Sequence, residues 1–125
     1  MKILYLCITK AFNKEGDFER PSVYECTRKF WALKSLRKAQ EAEVIVGVAN
    51  GEIQGIFKKT VDWQLVQNIP ELQNDRELKA NPKYQTRYAF SGEEITFSSD
   101  EAKEVFSDFE NHPFRFCGNV EHYNF

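Results

Sequence analysis

The sequence predicts a small α+β domain, with an antiparallel sheet or an open β-barrel and two or three flanking helices. The chain has 125 residues, 42% of them hydrophobic and 14% aromatic, so it can form one core in a single domain spanning residues 1–125. Two hairpin patterns, at residues 43–59 and 84–97, account for most of the strand signal. No repeated strand–helix–strand unit is visible, which argues against a parallel sheet.

The first third of the chain carries one strand signal and two helix signals. Lys2–Thr9 is an apolar run rich in strand formers and predicts a buried strand. Pro21 and Ser22 suit the opening of a helix, and Ser35 suits the cap of a second one. The predicted elements are a strand over 2–9, a loop over 10–20 pinned to the body by its two phenylalanines, a helix opening at 21–22, an extended stretch over 30–33 and a helix over 35–42.

The clearest local signal is a hairpin centred on Asn50-Gly51. This dipeptide supplies the two positive-φ positions of a type I′ turn, between apolar runs at residues 43–49 and 52–59. Gly47 and Gly55 lie inside these runs. In a strand such glycines mark a bulge or a close approach to the backbone.

The second half of the chain is predicted to contain another hairpin and a capped helix. The Ser98-Ser99-Asp100-Glu101 segment matches the S-x-x-E capping box, and His112-Pro113 ends the helix. The predicted elements are a long polar excursion over 68–82, a strand over 84–90, a turn at 91–92, a return strand over 93–97, a helix from about 99 to 111, a last strand over 114–117 and an irregular tail over 118–125.

Cysteine usage and hydropathy predict a cytoplasmic protein that is not bound to a membrane. Cys7, Cys26 and Cys117 are odd in number and widely spaced, which argues against a disulfide framework or a structural zinc site. No run approaches the roughly 20 apolar residues of a membrane span. The apolar start of the chain is too short for a signal peptide.

Motifs that define common catalytic and cofactor sites are missing from the sequence. Glycine-rich phosphate loops, an H-E-x-x-H pattern and a nucleophile elbow are all absent. The two histidines, His112 and His122, lie ten positions apart with no regular Asp or Glu ladder beside them. We therefore predict no catalytic residue, no cofactor and no metal.

Basic and aromatic residues concentrate in one short segment of a chain whose net charge is only -2. Residues 24–59 carry a local balance of +3, against -6 for residues 91–111. The cluster is Tyr24, Thr27, Arg28, Trp31 and Lys34. A tryptophan beside cations can stack on a flat ligand and contact its phosphate. The same pattern is compatible with Trp31 in the core and the cations on a solvated edge.

Three stretches carry a resemblance to a known family. They are Val23–Trp31 (VYECTRKFW), Ala42–Phe57 (AEVIVGVANGEIQGIF) and Arg87–Glu94 (RYAFSGEE), with Trp63 between the last two. Together they resemble a poorly characterised bacterial family of small PUA/ASCH-like proteins, similar to a module found beside GIY-YIG nuclease domains. The resemblance covers residues 2–97. No nuclease motif is present, so it does not imply hydrolysis.

The hairpin-rich order also resembles the PUA, ASCH and EVE group of small barrels, whose members commonly read RNA or modified bases. The leading hypothesis is therefore a non-catalytic module that binds a nucleotide or a nucleic-acid base, modified or unmodified. The predicted ligand-binding residues are Tyr24, Thr27, Arg28, Trp31, Lys34, Trp63, Arg87 and Asn119.

Two alternatives from other functional classes remain open. One is a small nucleotide- or base-directed hydrolase that uses Glu93 or Glu94 with His122. The other is a protein-interaction factor of a mobile element or defence system, whose acidic helix over residues 100–110 docks a basic partner.

Overall fold

A five-stranded mixed sheet with strand order β4-β3-β2-β1-β5 forms the centre of the molecule. The computed structural model describes residues 1–111 and 120–125. The strands are β1 (Ile3–Cys7), β2 (Val44–Ala49), β3 (Glu52–Leu65), β4 (Tyr88–Glu94) and β5 (Glu121–Tyr123). The helices are α1 (Thr9–Phe12), α2 (Val23–Arg28), α3 (Leu36–Glu41), α4 (Arg76–Ala80) and α5 (Asp100–Asn111). The prediction of a small α+β domain with an open sheet and flanking helices is confirmed.

The sheet is mixed because β1 and β2 run parallel, whereas the other strand pairs are antiparallel. A parallel pair needs a crossover connection, and here that connection contains α1, α2 and α3. The prediction of an antiparallel sheet or open β-barrel missed this one parallel pair, because the crossover helices are only four to six residues long. Such short helices leave a weak periodic signal.

Alternating residues of the central strands build two cores on opposite faces of the sheet. Leu4 and Leu6 face the first core, where Cys26 of α2 and Ala39 of α3 pack. Ile3 and Tyr5 face the second, which α5 covers with Ala102 and Val105. The Tyr5 hydroxyl donates to Asp108 Oδ2 at 2.6 Å and so ties α5 to β1. The sheet is therefore covered on both sides.

The predicted Asn50-Gly51 hairpin is confirmed, and both turn residues have positive φ, 54° and 80°. The ladder shifts register between Gly47 and Val48, so the bulge predicted at Gly47 is present. A Cβ at Gly47 would clash with Thr27 Oγ1 of α2. The missing side chain therefore lets α2 approach the sheet closely.

The hairpin predicted over residues 84–97 is wrong. Ser91 and Gly92 lie inside one strand, β4, which pairs with the far end of the 14-residue β3. Gly92 marks a close approach instead of a turn, because a Cβ there would meet the carbonyl oxygen of Lys58 on β3 at 2.6 Å. Tyr84 belongs to a 3-10 segment that precedes the strand.

Other local predictions have mixed outcomes. Helices α2, α3 and α5 are confirmed, with the side chains of Ser22, Ser35 and Ser99 accepting hydrogen bonds from backbone N–H groups of the first turn. The predicted 10–20 loop begins with the one-turn helix α1. The predicted irregular tail contains β5, which pairs with β1. The strand predicted at 114–117 lies outside the described residues.

Candidate functional site

Three residues of the predicted basic and aromatic cluster, Tyr24, Arg28 and Trp31, lie along the outer edge of β4. The backbone of Trp31 exchanges two hydrogen bonds with Tyr88, at 3.0 and 2.9 Å. The Tyr24 hydroxyl accepts from the N–H of Gly92 at 3.1 Å. An edge strand presents unpaired backbone groups that attract other strands, and here these residues satisfy them.

Arg28 contributes to the same edge with its guanidinium. Its Nε donates to the carbonyl oxygen of Phe90 at 3.0 Å, and Nη2 donates to Ser91 Oγ at 3.3 Å. The guanidinium also lies over the Tyr24 ring, 5.4 Å from its centroid. With only 9% of the residue exposed, Arg28 fastens α2 to β4.

The other predicted site residues are dispersed. Thr27 is fully buried on the face of α2 that packs on Gly47 of β2. Trp63 is 3% exposed and packs on Phe90 in the core. Lys34 is exposed, and its backbone N–H donates to Glu121 Oε1 at 2.6 Å. Arg87 lies over the Tyr84 ring, 5.5 Å from its centroid. Asn119 lies outside the described residues.

An open cleft of about 560 Å³ lies at the carboxyl end of β1. Its size falls within the usual range for small-molecule sites. Cys7 and Ile8 at the end of β1 and the following helix α1 line one part of it, and the loop over residues 15–20 lines another. The remaining lining comes from Cys26 of α2, from residues 29–31 after that helix, from α4 and the segment after it, and from Val120. Four aromatic side chains line this cleft: Phe18, Phe30, Trp31 and Tyr84.

Trp31 is the residue that links the predicted site to the cleft. Its indole Nε1 donates to the carbonyl oxygen of Thr27 at 2.7 Å, which fixes the orientation of the ring. Because its backbone is also paired with Tyr88, both the main chain and the ring are held. A half-buried ring fixed in this way is a rigid wall of the cleft.

Phe30 adopts a left-handed backbone conformation, with φ at 70°. This conformation is uncommon outside glycine and costs of order 1–3 kcal/mol, so the surrounding contacts must hold it. The Phe30 ring stacks on Tyr84, with centroids 4.9 Å apart and planes 21° from parallel. Arg20 and Lys29 lie over the same ring, at 5.5 and 5.4 Å from its centroid.

The two cations beside Phe30 are paired with carboxylates. Arg20 donates from Nε and Nη2 to the two carboxylate oxygens of Glu77, at 3.0 and 2.8 Å. Burial alone would lower the pKa of Arg20, but the hydrogen bonds to Glu77 outweigh it and raise that pKa. Lys29 Nζ lies 2.7 Å from Asp75 Oδ2 and 2.9 Å from Glu25 Oε2. These pairs join the 15–20 loop and α2 to α4.

Asp75 supplies a pH-dependent part of this network. Burial would raise the pKa of its carboxyl, but hydrogen bonds from Lys29 and from the N–H of Leu78 lower it below the usual 3.8. A group whose pKa is lowered on folding stabilises the fold above its ordinary pKa. That contribution is lost as the pH falls through the lowered value.

We therefore expect Asp75→Asn to reduce the free energy of unfolding by about 1–2 kcal/mol at neutral pH, where it removes a charge-assisted hydrogen bond. Asparagine caps a helix as well as aspartate does, so the cap on α4 is kept. The difference from the wild type should begin to shrink as the pH falls below about 4 and should be lost once the pH has fallen through the lowered pKa of the Asp75 carboxyl. Urea unfolding at neutral and acidic pH measures this, and a difference that stays constant with pH would contradict it.

Two free cysteines, the half-buried Cys7 and the buried Cys26, line the cleft. Cys26 is buried, and burial raises the pKa of its thiol, which keeps it protonated and weakly nucleophilic. Within residues 1–111 and 120–125, no three His, Cys, Asp or Glu side chains come together in a way that could hold a metal ion. In the same residues no helix has the length and apolar character needed to cross a membrane.

The residues of the hydrolase alternative lie at opposite edges of the sheet. Glu93 and Glu94 are on β4, and His122 is on β5, with three strands between them. Four interstrand spacings amount to roughly 19 Å, too far for the two groups to act on one bond. The acidic helix of the other alternative, α5, has exposed Glu101 and Glu104 on the sheet face opposite α2.

Several cleft residues were not predicted as site residues: Phe18, Arg20, Lys29, Phe30, Glu77 and Tyr84. The Arg20–Glu77 pair spans 57 positions, so no local motif reveals it. Lys29 and Phe30 lie inside the basic and aromatic segment, and their adjacency to Trp31 is the sequence feature that could have identified them as site residues. Comparisons of the chain with protein-family models, with curated proteins and with solved structures gave no match.

Proposed function

We propose that this protein is a non-catalytic module that binds a nucleotide or a nucleic-acid base, modified or unmodified, in the cleft beside Trp31. The observation that carries the proposal is the position of Trp31. It is half-buried, and it lines an open cleft together with three other aromatic side chains. This is the arrangement expected of a stacking platform.

The rigidity of the platform supports stacking on a flat ligand. Trp31 is held by its indole hydrogen bond to Thr27 and by its backbone pairing with Tyr88, so little conformational entropy is lost when a ring packs against it. Base stacking on an aromatic side chain contributes about 1–3 kcal/mol per base. Thr9 and Asn81 add a hydroxyl and an amide to the lining, which can hydrogen-bond to the edge of a base.

A binding role is favoured over catalysis because the most buried charged side chains of the cleft are already engaged in ion pairs. Arg20 and Glu77 form a bidentate pair, and Lys29 contacts two carboxylates. A general acid or base needs a group that can exchange a proton near neutral pH. The resemblance of three sequence stretches to a family of small PUA/ASCH-like proteins agrees with this proposal. The hairpin order that resembles the wider PUA, ASCH and EVE group is only half present, because residues 88–94 form a single strand.

Calorimetric titration with free bases, nucleosides, mononucleotides and short single-stranded oligonucleotides tests the proposal. We expect at least one class to bind, and we expect Trp31→Leu to weaken that binding about tenfold or more, because the stacking surface is lost. Phe97→Leu is the matched control. Phe97 is 45% exposed and packs on Phe106 of α5, so its replacement should leave the affinity unchanged.

Two outcomes would overturn the proposal. One is the absence of binding across the whole panel. The other is an equal affinity of the Trp31 and Phe97 variants for a ligand that the wild type binds. Circular dichroism of both variants shows whether they are folded under the conditions of the titration.

A further inference from the structure

The charged residues of the cleft balance one another. Three basic and three acidic side chains are among its described lining residues: Lys10, Arg20, Lys29, Glu15, Asp17 and Glu77. Asp75 and Glu25, which hold Lys29, add further negative charge next to the lining. The electrostatic potential in the cleft therefore differs from that of a phosphate-binding site, in which positive charge is in excess.

The two buried cations are also poorly placed to accept a phosphate. The side chains of Arg20 and Lys29 are 15% and 7% exposed. Each is held by carboxylate oxygens at hydrogen-bond distances, in a geometry that binds strongly. A phosphate next to either cation would also lie next to Glu77 or Asp75, and the repulsion between these like charges would offset the attraction of the cation.

An uncharged ring does not incur this electrostatic penalty. The aromatic lining offers stacking surface, and an ionised carboxylate such as Glu77 can accept more hydrogen bonds than the two it receives from Arg20. An arginine carries five N–H donors, of which two are used here on Glu77. The pair can therefore present a donor beside an acceptor to the edge of a heterocycle without being broken.

From this charge balance we propose that the cleft recognises the uncharged ring of a nucleobase or nucleoside and leaves any phosphate in solvent. The inference rests on the proposed function and narrows its ligand class. A mononucleotide would bind through its base alone. Its phosphate would gain no contact with Arg20 or Lys29.

The test compares one nucleoside with its 5′-monophosphate, using whichever base binds, at about 50 mM and about 500 mM salt. We expect the two dissociation constants to agree within about threefold and to change less than about twofold with salt, because no counterions are released from a phosphate. Inorganic phosphate at millimolar concentration should not compete. Lys10→Gln, which removes the exposed lysine of the lining, should leave the affinity for the monophosphate unchanged.

The inference is overturned if the monophosphate binds about tenfold more tightly than the nucleoside and loses that advantage in high salt. Competition by inorganic phosphate overturns it as well, as does a Lys10→Gln variant that binds the monophosphate more weakly but the nucleoside equally. If neither compound binds, nor any other of the panel, the proposed function itself is overturned. That result is distinct from a preference for phosphate.

Discussion

Replacement of Glu77 by glutamine should lower the free energy of unfolding by about 3 kcal/mol. Glu77 and Arg20 are only 13% and 15% exposed, and their bidentate contact connects α4 to the loop that lines the cleft. Removing the carboxylate charge leaves the guanidinium partly buried without its counter-ion, and that desolvated charge is the source of the destabilisation. Urea unfolding at neutral pH measures the change.

The matched control is Glu19→Gln. Glu19 forms an ion pair with Lys14 at 2.8 Å, the same distance as the closer contact of the Arg20–Glu77 pair, but both partners are about two-thirds exposed. Solvent screens such a pair, so no measurable change is expected. The double variant Arg20→Met, Glu77→Leu should recover most of the stability, because it removes both charges together. Equal urea concentrations at the unfolding midpoint for Glu77→Gln and Glu19→Gln would contradict the prediction.

Replacement of Arg28 by methionine should lower the free energy of unfolding by about 2–3 kcal/mol. Methionine keeps much of the aliphatic stem but removes the hydrogen bonds to the Phe90 carbonyl and to Ser91 Oγ. The Phe90 carbonyl then lies at the strand edge without the partner it has in the wild type. Arg28→Lys should recover only part of the loss, because a single ammonium does not reproduce the geometry of the guanidinium fork.

This prediction separates a structural role of Arg28 from a role in ligand binding. Arg28→Met should bind the ligand of the cleft with wild-type affinity wherever it is folded. Arg87→Met serves as the control for stability, because Arg87 is more exposed and stacks over Tyr84, a contact worth about 0.5–1 kcal/mol. The prediction fails if Arg28→Met is as stable as the wild type, or if its ligand affinity falls while its stability does not.

Local signals in the sequence predicted the elements whose formation depends on neighbouring residues. The Asn50-Gly51 turn and the serine caps at Ser22 and Ser35 act within a few residues, and the structure confirms all three. At α5 the capping serine is Ser99, one position after the Ser98 of the predicted capping box. Gly92 shows where such reasoning fails. A Ser-Gly pair reads as a turn, but this glycine meets the carbonyl of Lys58, 34 positions away, and only the folded sheet reveals that contact.

The candidate site was likewise predicted only in part from the sequence. The clustering of basic and aromatic residues in one segment predicted a shared surface, and Tyr24, Arg28 and Trp31 do share one. Helical spacing does not account for it, because α2 ends at Arg28 and Trp31 lies beyond that end. The sequence also could not distinguish a ligand from the edge of β4 as the partner of that surface. The cleft is assembled from segments distant in sequence, among them β1, α2 and α4. Its central ion pair, Arg20 with Glu77, has no signature in either segment alone.

The position of β1 between β2 and β5 has a consequence for how the chain folds. The N–H of Ile3 donates to Asn124 Oδ1, a hydrogen bond that joins residues 121 positions apart. The pairing of β1 with β2 likewise requires closure of the long connection that carries α1, α2 and α3. Contacts of such separation are formed only after large loops have been closed, and domains that depend on them fold slowly, in milliseconds to seconds. One flank of β1 therefore stays unpaired until residues 121–124 have been synthesised.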